Sequence, residues 1–291
     1  MKNRICLVTG ANSGIGYEIA LGLARRKETV IIICRNREKG EDACAALIAG
    51  SNNPRVDLFC CDLSSQVQIR ELAANLKKKY DNLHVLINNA GGVNIRRMVT
   101  ADGFEYTFAV NYLAYFLLTS LLLDMLIRSA PSRVVNVTSH AHRDGKIRFD
   151  DLQQEQKYSG FAAYNQSKLA VILFTYELGR RLDGKGVTVN CVHPGIIATN
   201  IWNKSTGRLG GMLNHLAPLI KWMMPKPAKG AETPLYLAVS PEMEGVTGKY
   251  FINKIATPSS ALSYDTELAK RLWQVSEQLT GLPGIDKESN R

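Results

Sequence analysis

Seven apolar runs recur along the chain: ICLVT at 5–9, TVIIIC at 29–34, RVDLFCC at 55–61, HVLIN at 84–88, RVVNVT at 133–138, VTVNCV at 187–192 and the weaker GKYFI at 248–252. Amphipathic stretches of helical period separate them, among them Tyr17 to Arg26, Glu38 to Ile48, Val67 to Lys79 and Phe161 to Leu182. Two more helices are expected, near Ala228 to Val239 and from about Asp265 to Leu279. Strands that are apolar on both faces must be covered on both, and strands joined through helices run parallel. The pattern predicts an α/β fold: a doubly wound parallel sheet of about seven strands with helices on both faces.

Nothing rich in Pro, Gly or Ser interrupts this alternation before about residue 200, so one domain is expected over residues 1–282, with 283–291 as a mobile tail. At 45% hydrophobic and 21% charged residues, disorder is excluded. The net charge of +10 is spread over short clusters (Arg25-Arg26-Lys27, Lys77-Lys78-Lys79, Arg180-Arg181) near helix ends. No aromatic residues interleave with them, which argues for solvated helix termini and against a nucleic-acid partner. Six cysteines without a C-x-x-C pair fall mostly in strand-like runs, as buried reduced thiols do. The first strand begins almost at Met1, leaving no room for a signal peptide or anchor, and the expected location is cytoplasmic. Val110 to Ile127 is apolar enough to test as a membrane span, but Asn111, Thr119, Ser120 and Asp124 interrupt it; a helix buried against the sheet is the better reading.

TGANSGIG, Thr9 to Gly16, places glycines at 10, 14 and 16 where the first strand gives way to the first helix. A turn of this kind lets the backbone of Gly10, Asn12, Ser13, Gly14, Ile15 and Gly16 approach a pyrophosphate, with free N–H groups at the helix start facing it. The spacing is G-x-x-x-G-x-G, and a tight turn without a ligand also accounts for it. A NAD site would have an acidic residue at the end of the second strand; this chain has Cys34-Arg35-Asn36. Arg35 suits a 2′-phosphate and favours NADP(H), the alternative being that it caps the strand end in solvent.

Together these elements resemble a classical short-chain dehydrogenase/reductase, specifically its retinol dehydrogenase-like branch. The resemblance rests on Thr9-Gly10, Gly14 and Gly16, on Asp62-Leu63 after the third strand, on Asn88-Asn89-Ala90-Gly91 closing the fourth, on VHPG at 192–195, and on GKYF at 248–251 with AKRLWQVSEQLTGL at 269–282. It covers nearly the whole chain and implies a Rossmann fold, with Asn111, Ser139, Tyr164 and Lys168 as the catalytic four. It further implies Asp62 and Leu63 on the adenine side, Asn88 beside the adenosine ribose, Ala90 and Gly91 next to it, and Lys168 on the nicotinamide ribose. Pro194, Gly195 and Ile197 would meet the carboxamide, and Thr199 the amide or a phosphate.

Tyr164 and Lys168 are four residues apart on a helix and share a face. An ammonium near a phenol favours the phenolate, so Tyr164 is expected to be acidified and to act as general base in alcohol oxidation or general acid in carbonyl reduction. Ser139 ends the fifth strand, where its hydroxyl would hold the substrate oxygen; the competing Thr138 should point to the opposite face. Asn111 in the apolar helix needs a partner; a helix cap or buried amide is the plain reading, whereas the resemblance has it distort the helix and complete a proton relay. His140 and His142 have neither a third metal ligand nor a carboxylate in register and are read as loop residues; no metal site is expected.

Residues 200–227, with Ile201, Trp202, Met212, Leu213, Leu216, Leu219, Ile220, Trp222, Met223 and Met224, occupy the position of the family's substrate lid. Such a wall suits a hydrophobic small-molecule alcohol or carbonyl, although core or dimer contacts explain many of these side chains equally well. With Lys221, Lys226 and Lys229 nearby, peripheral membrane contact and a homodimer both stay open. The reaction expected is hydride transfer between NADP(H) and a lipophilic alcohol/carbonyl pair. The alternatives are a catalytically silent NADP(H)-binding sensor or scaffold, or a reductase of a pigment or polyketide-like carbonyl.

Overall fold

Alternation within the strands decides which layer each side chain enters. In the computed structural model, which describes residues 4–195 and 226–282, Leu7, Ile31, Ile33, Leu86 and Val134 pack into one apolar cluster. Their strand neighbours Cys6, Val8, Val30, Ile32, Val85, Ile87 and Val135 pack into a second on the opposite face. The period of two in a sheet buried on both sides explains why the runs read as continuously apolar.

Strands β1 (Ile5–Thr9), β2 (Thr29–Cys34), β3 (Val56–Cys60), β4 (Val85–Asn88), β5 (Ser132–Val137), β6 (Val187–His193) and β7 (Tyr250–Ile252) are the seven expected, and the described residues add β8 (Ile255–Ala256). The sheet order is β3-β2-β1-β4-β5-β6-β7-β8. All adjacent pairs are parallel except β7 with β8. The eighth strand escaped the sequence pattern because it is a two-residue return around Asn253 and Lys254, both at positive φ (49° and 65°), the conformation of a tight hairpin turn. Strand order reverses between β1 and β4, so the crevice of such a sheet opens at the carboxyl ends of these two strands.

Helices α1 (Gly14–Arg25), α2 (Arg37–Ser51), α3 (Gln66–Lys79), α4 (Tyr106–Phe108), α5 (Ala114–Leu121), α6 (Leu123–Arg128), α7 (Gly160–Arg181), α8 (Pro227–Val239) and α9 (Thr266–Thr280) complete the layers. The apolar stretch from Val110 is not one long helix: a π-helical turn at Ala109–Leu113 precedes α5, and Leu122 separates α5 from α6. Its side chains are largely buried, and among the described residues no helix is long and apolar enough to cross a membrane. Helix α7 is buried from Gln166 to Gly179. Trp273 of α9 closes this layer, its ring 5.0 Å from Phe116 and 5.8 Å from Phe174.

The basic clusters are paired as well as solvated: Lys77 with Asp124 at 2.9 Å, Lys79 with Asp57 at 2.9 Å, and Arg180 and Arg181 with the buried Glu177 at 2.7 and 2.8 Å.

Candidate active site

The turns after β1 and β4 lock each other. Thr9 Oγ1 accepts the backbone N–H of Asn89 (2.9 Å) and of Ala90 (3.0 Å), while Asn89 Nδ2 donates to the carbonyl of Thr9 at 2.8 Å. Gly10 is at φ +65°, and a Cβ there would stand 2.9 Å from Ala90 Cα. On Gly16 a Cβ would lie 2.3 Å from the carbonyl oxygen of Gly10, closer than any side chain can approach, so the helix start needs glycine. Helices α2, α3, α7 and α9 are capped by the side chains of Asn36, Ser65, Ser159 and Asp265. Ser13, the N-cap of α1, makes no such bond. Its first-turn N–H groups are left for an anion, and this turn fits a pyrophosphate.

A cleft of about 490 Å³ opens above this turn, lined by Gly10, Asn12, Ser13, Gly14, Ile15, Gly16, Arg35, Asp62, Leu63, Ala90, Gly91 and Asn111. Two of the expected nucleotide residues lie elsewhere. Asn88 is fully buried beneath the floor, where its Nδ2 donates to Thr119 Oγ1 at 3.0 Å and Asn136 Oδ1 at 2.8 Å. Its neighbour Asn89 lines the cleft instead, because Asn88 ends the strand facing inward and the chain turns outward after it. Asn36 spends its side chain capping α2, accepting from Lys39 N at 2.9 Å. Pro194 and Gly195, the latter at φ +90°, follow β6, and Ile197 and Thr199 lie outside the described residues, as does nearly all of the expected lid.

Gly91 and Asn111 line the cleft, and Lys168 stands beside them: a Cβ on Gly91 would be 3.6 Å from Lys168 Nζ. Asn111 sits in the π turn. Its Oδ1 accepts from Gly92 N (2.9 Å), and its Nδ2 donates to the Gly92 carbonyl (2.9 Å) and to Ser167 Oγ (3.1 Å). Asn111 is therefore a fully buried amide with its partners satisfied, and it ties the loop after β4 to α7. Thr138 Oγ1 donates inward to the Lys168 carbonyl at 2.8 Å, whereas Ser139 Oγ accepts from Ala141 N at 3.3 Å and stands near the Tyr164 phenol. Lys168 Nζ donates to the Val137 carbonyl at 3.1 Å and lies 5.6 Å from the Tyr164 ring centre.

The electrostatics depart from the sequence expectation. In the protein alone, burial pushes the Tyr164 phenol above its ordinary value, only partly opposed by the Ser139 hydrogen bond. Burial also pushes the Lys168 ammonium down to about 8. Desolvation, which spacing does not reveal, sets the direction for both groups.

His142 is not a loop residue. It is fully buried in the 3₁₀ turn His140–Asp144, with Nδ1 2.7 Å from the carbonyl of Ser139 and Nε2 accepting from Ser260 N at 3.1 Å. Two such bonds require the neutral form with the proton on Nδ1. The Ser260 partner lies 118 residues away, beyond the reach of any local pattern. Among the described residues no group of three or more His, Cys, Asp or Glu side chains is placed to hold a metal.

A switch-point cleft over a glycine turn defines an α/β protein of the dinucleotide-binding class. The chain belongs to the short-chain dehydrogenases, an oxidoreductase family that uses nicotinamide cofactors: the family model described as short chain dehydrogenase matches residues 4–209. It is 46% identical to mouse (Mus musculus) retinol dehydrogenase 13 over 97% of this chain and 85% of that protein. It is 41% identical to human (Homo sapiens) polyprenol dehydrogenase over 96% and 86%. Among solved structures, an uncharacterized protein from Mycobacterium paratuberculosis aligns with a TM-score of 0.76 at 33% identity, covering 96% of this chain and 93% of that one. A Pseudomonas aeruginosa RhlG/NADP active-site complex aligns with a TM-score of 0.66 at 27% identity, covering 85% and 93%.

Proposed function

We propose that this short-chain dehydrogenase is NADP(H)-dependent and interconverts a lipophilic alcohol with its aldehyde or ketone, with Tyr164 as the general acid/base. The observation that carries the reading is the grouping of Ser139, Tyr164 and Lys168 beside the glycine-turn cleft, with Lys168 Nζ 3.6 Å from where a Cβ on the cleft-lining Gly91 would stand. When bound, the dinucleotide supplies or accepts the hydride. The chain's own part is to orient and to move a proton. The Ser139 hydroxyl donates to the substrate oxygen, fixing the reacting carbon, and the Tyr164 phenol gives that oxygen a proton in reduction or removes one in oxidation. A phenol held above its ordinary value by burial stays protonated at neutral pH, which suits the acid role in carbonyl reduction. Lys168, kept near its charge change by burial and held by its bond to the Val137 carbonyl, is the group through which Tyr164 is resupplied.

Support for NADP(H) comes from Arg35 on the cleft lining and from the similar solved structure, the Pseudomonas aeruginosa RhlG/NADP active-site complex. Support for a lipophilic substrate comes from relatives named for retinol and polyprenol, and from the exposed apolar residues Ile95, Met98 and Val99 near the cleft. Residues 1–282 are taken as one domain, with 200–227 as its lid. The same reading places the protein in the cytoplasm, with the lid and its lysines as the region for peripheral membrane contact or pairing between two copies.

The test is Tyr164→Phe. Turnover of retinal or a long-chain aldehyde should fall by about a thousandfold with NADPH binding unchanged. Undiminished turnover in the variant overturns the assignment of Tyr164, and a wild-type protein that binds NADPH but reduces no carbonyl compound favours the silent sensor.

A further inference from the structure

Tyr106 opens α4 opposite the end of β2, and its hydroxyl accepts a hydrogen bond from Arg35 Nη1 at 3.0 Å. We infer that Tyr106 determines nucleotide specificity by holding the Arg35 guanidinium across the cleft, where the 2′-phosphate of a phosphorylated dinucleotide would sit. The inference rests on the NADP(H) reading above and deepens it.

Arg35 is a poor reader of phosphate by itself. Its side chain is 58% exposed and rotamer-rich, and its Nη1 lies 3.8 Å from Asp62 Oδ2. An arginine that collapsed onto Asp62 would present a neutralised pair to an incoming anion. Tyr106 competes for the same nitrogen with a neutral acceptor, which draws the fork away from the carboxylate without cancelling its charge. It leaves Nε and Nη2 for bidentate contact with phosphate oxygens.

The tyrosine is better fixed than the arginine. Its backbone N–H donates to the Met98 carbonyl at 2.9 Å. The buried Glu105 carboxylate caps the turn by accepting from Thr107 N at 2.8 Å and Phe108 N at 2.7 Å. A rigid partner reduces the ordering cost of a mobile one, which is how a single neutral hydroxyl contributes to selectivity.

The experiment is fluorescence titration of NADPH and NADH into wild type, Tyr106→Phe, Arg35→Ala and the double variant, with thermal unfolding to confirm that each is folded. Tyr106→Phe should raise the Kd for NADPH about three- to tenfold, the worth of one hydrogen bond, and leave NADH within about twofold. In the Arg35→Ala background the same change should have little further effect, since the two residues act as a pair. Equal weakening toward both nucleotides, or an undiminished effect without Arg35, assigns Tyr106 a packing role and overturns the inference. A wild type that prefers NADPH alongside an unaffected Tyr106→Phe overturns it while sparing the cofactor reading. A wild type that binds NADH as tightly as NADPH overturns both.

Discussion

His193 ends β6 with its ring 6.1 Å from that of His140, and burial first, then the other basic groups beside it, Lys168 among them, hold its imidazole down at about 4. The sign follows directly. The unfolded chain takes up this proton near 6.5 and the folded protein only near 4, so stability contributed by neutral His193 is lost as pH falls through that window. Urea denaturation at pH 7 and pH 5 should show wild type losing stability and His193→Asn losing less; equal losses would remove His193 as the acid-sensitive group. His142→Ala carries a different penalty, since it removes the acceptor of the part-buried Ser260 N–H and empties the place of a fully buried ring. A cost of about 2–4 kcal/mol is expected from denaturant midpoints. What the sequence showed at this scale was chemistry carried by spacing. Tyr164 and Lys168 fall on one helical face and Thr138 and Ser139 on opposite faces because periodicity fixes direction. It did not show the depth of burial, so the direction of the Tyr164 shift came out reversed. Nor did it show the long-range partner that makes His142 structural.

At the scale of the element, the glycine turn was the most legible part of the site, because steric exclusion is a property of the residue itself. Gly16→Ala would drive a methyl into the Gly10 carbonyl and the Asn89 amide, which hold β1 to β4. Nucleotide binding should be lost, together with about 1–3 kcal/mol of stability; an alanine variant that titrates normally with NADPH would show that the turn can widen. Asn88 against Asn89 was legible only in part. Both belong to the NNAG element, but which of the two reaches the cleft depends on where β4 stops, and strand ends are set by pairing with neighbours. The π turn at Ala109–Leu113 was hidden for a similar reason, since one extra residue in a turn leaves an apolar run looking helical.

For the whole molecule, the sheet with its two apolar faces was readable from the runs alone, and the division of labour between those faces was not. The face bearing α3, α5, α7 and α9 carries most of the aromatic packing, with Phe116, Phe174 and Trp273 in mutual contact. Trp273→Ala should cost about 3–5 kcal/mol by denaturant unfolding even though it lies far along the chain from every proposed catalytic residue. A loss below about 1 kcal/mol would mean that α9 is an appendage and not a wall of the core. Scattered positive charge, by contrast, says little about architecture, because exposed pairs such as Lys77 with Asp124 contribute at most a fraction of a kcal/mol, roughly.

The short run from Glu105 to Asn111 bears on both extremities of the cleft: Tyr106 meets Arg35 at one, and Asn111 ties down the loop after β4 at the other. Adding or removing one residue between them would swing Asn111 around the helix axis by about 100° while Tyr106 stayed where its cap holds it. Evolution and protein engineers alike are therefore free to exchange letters within this run, but its reading frame in space is fixed, and a change in its length parts the Tyr106–Arg35 contact from the Asn111 tie at a single stroke.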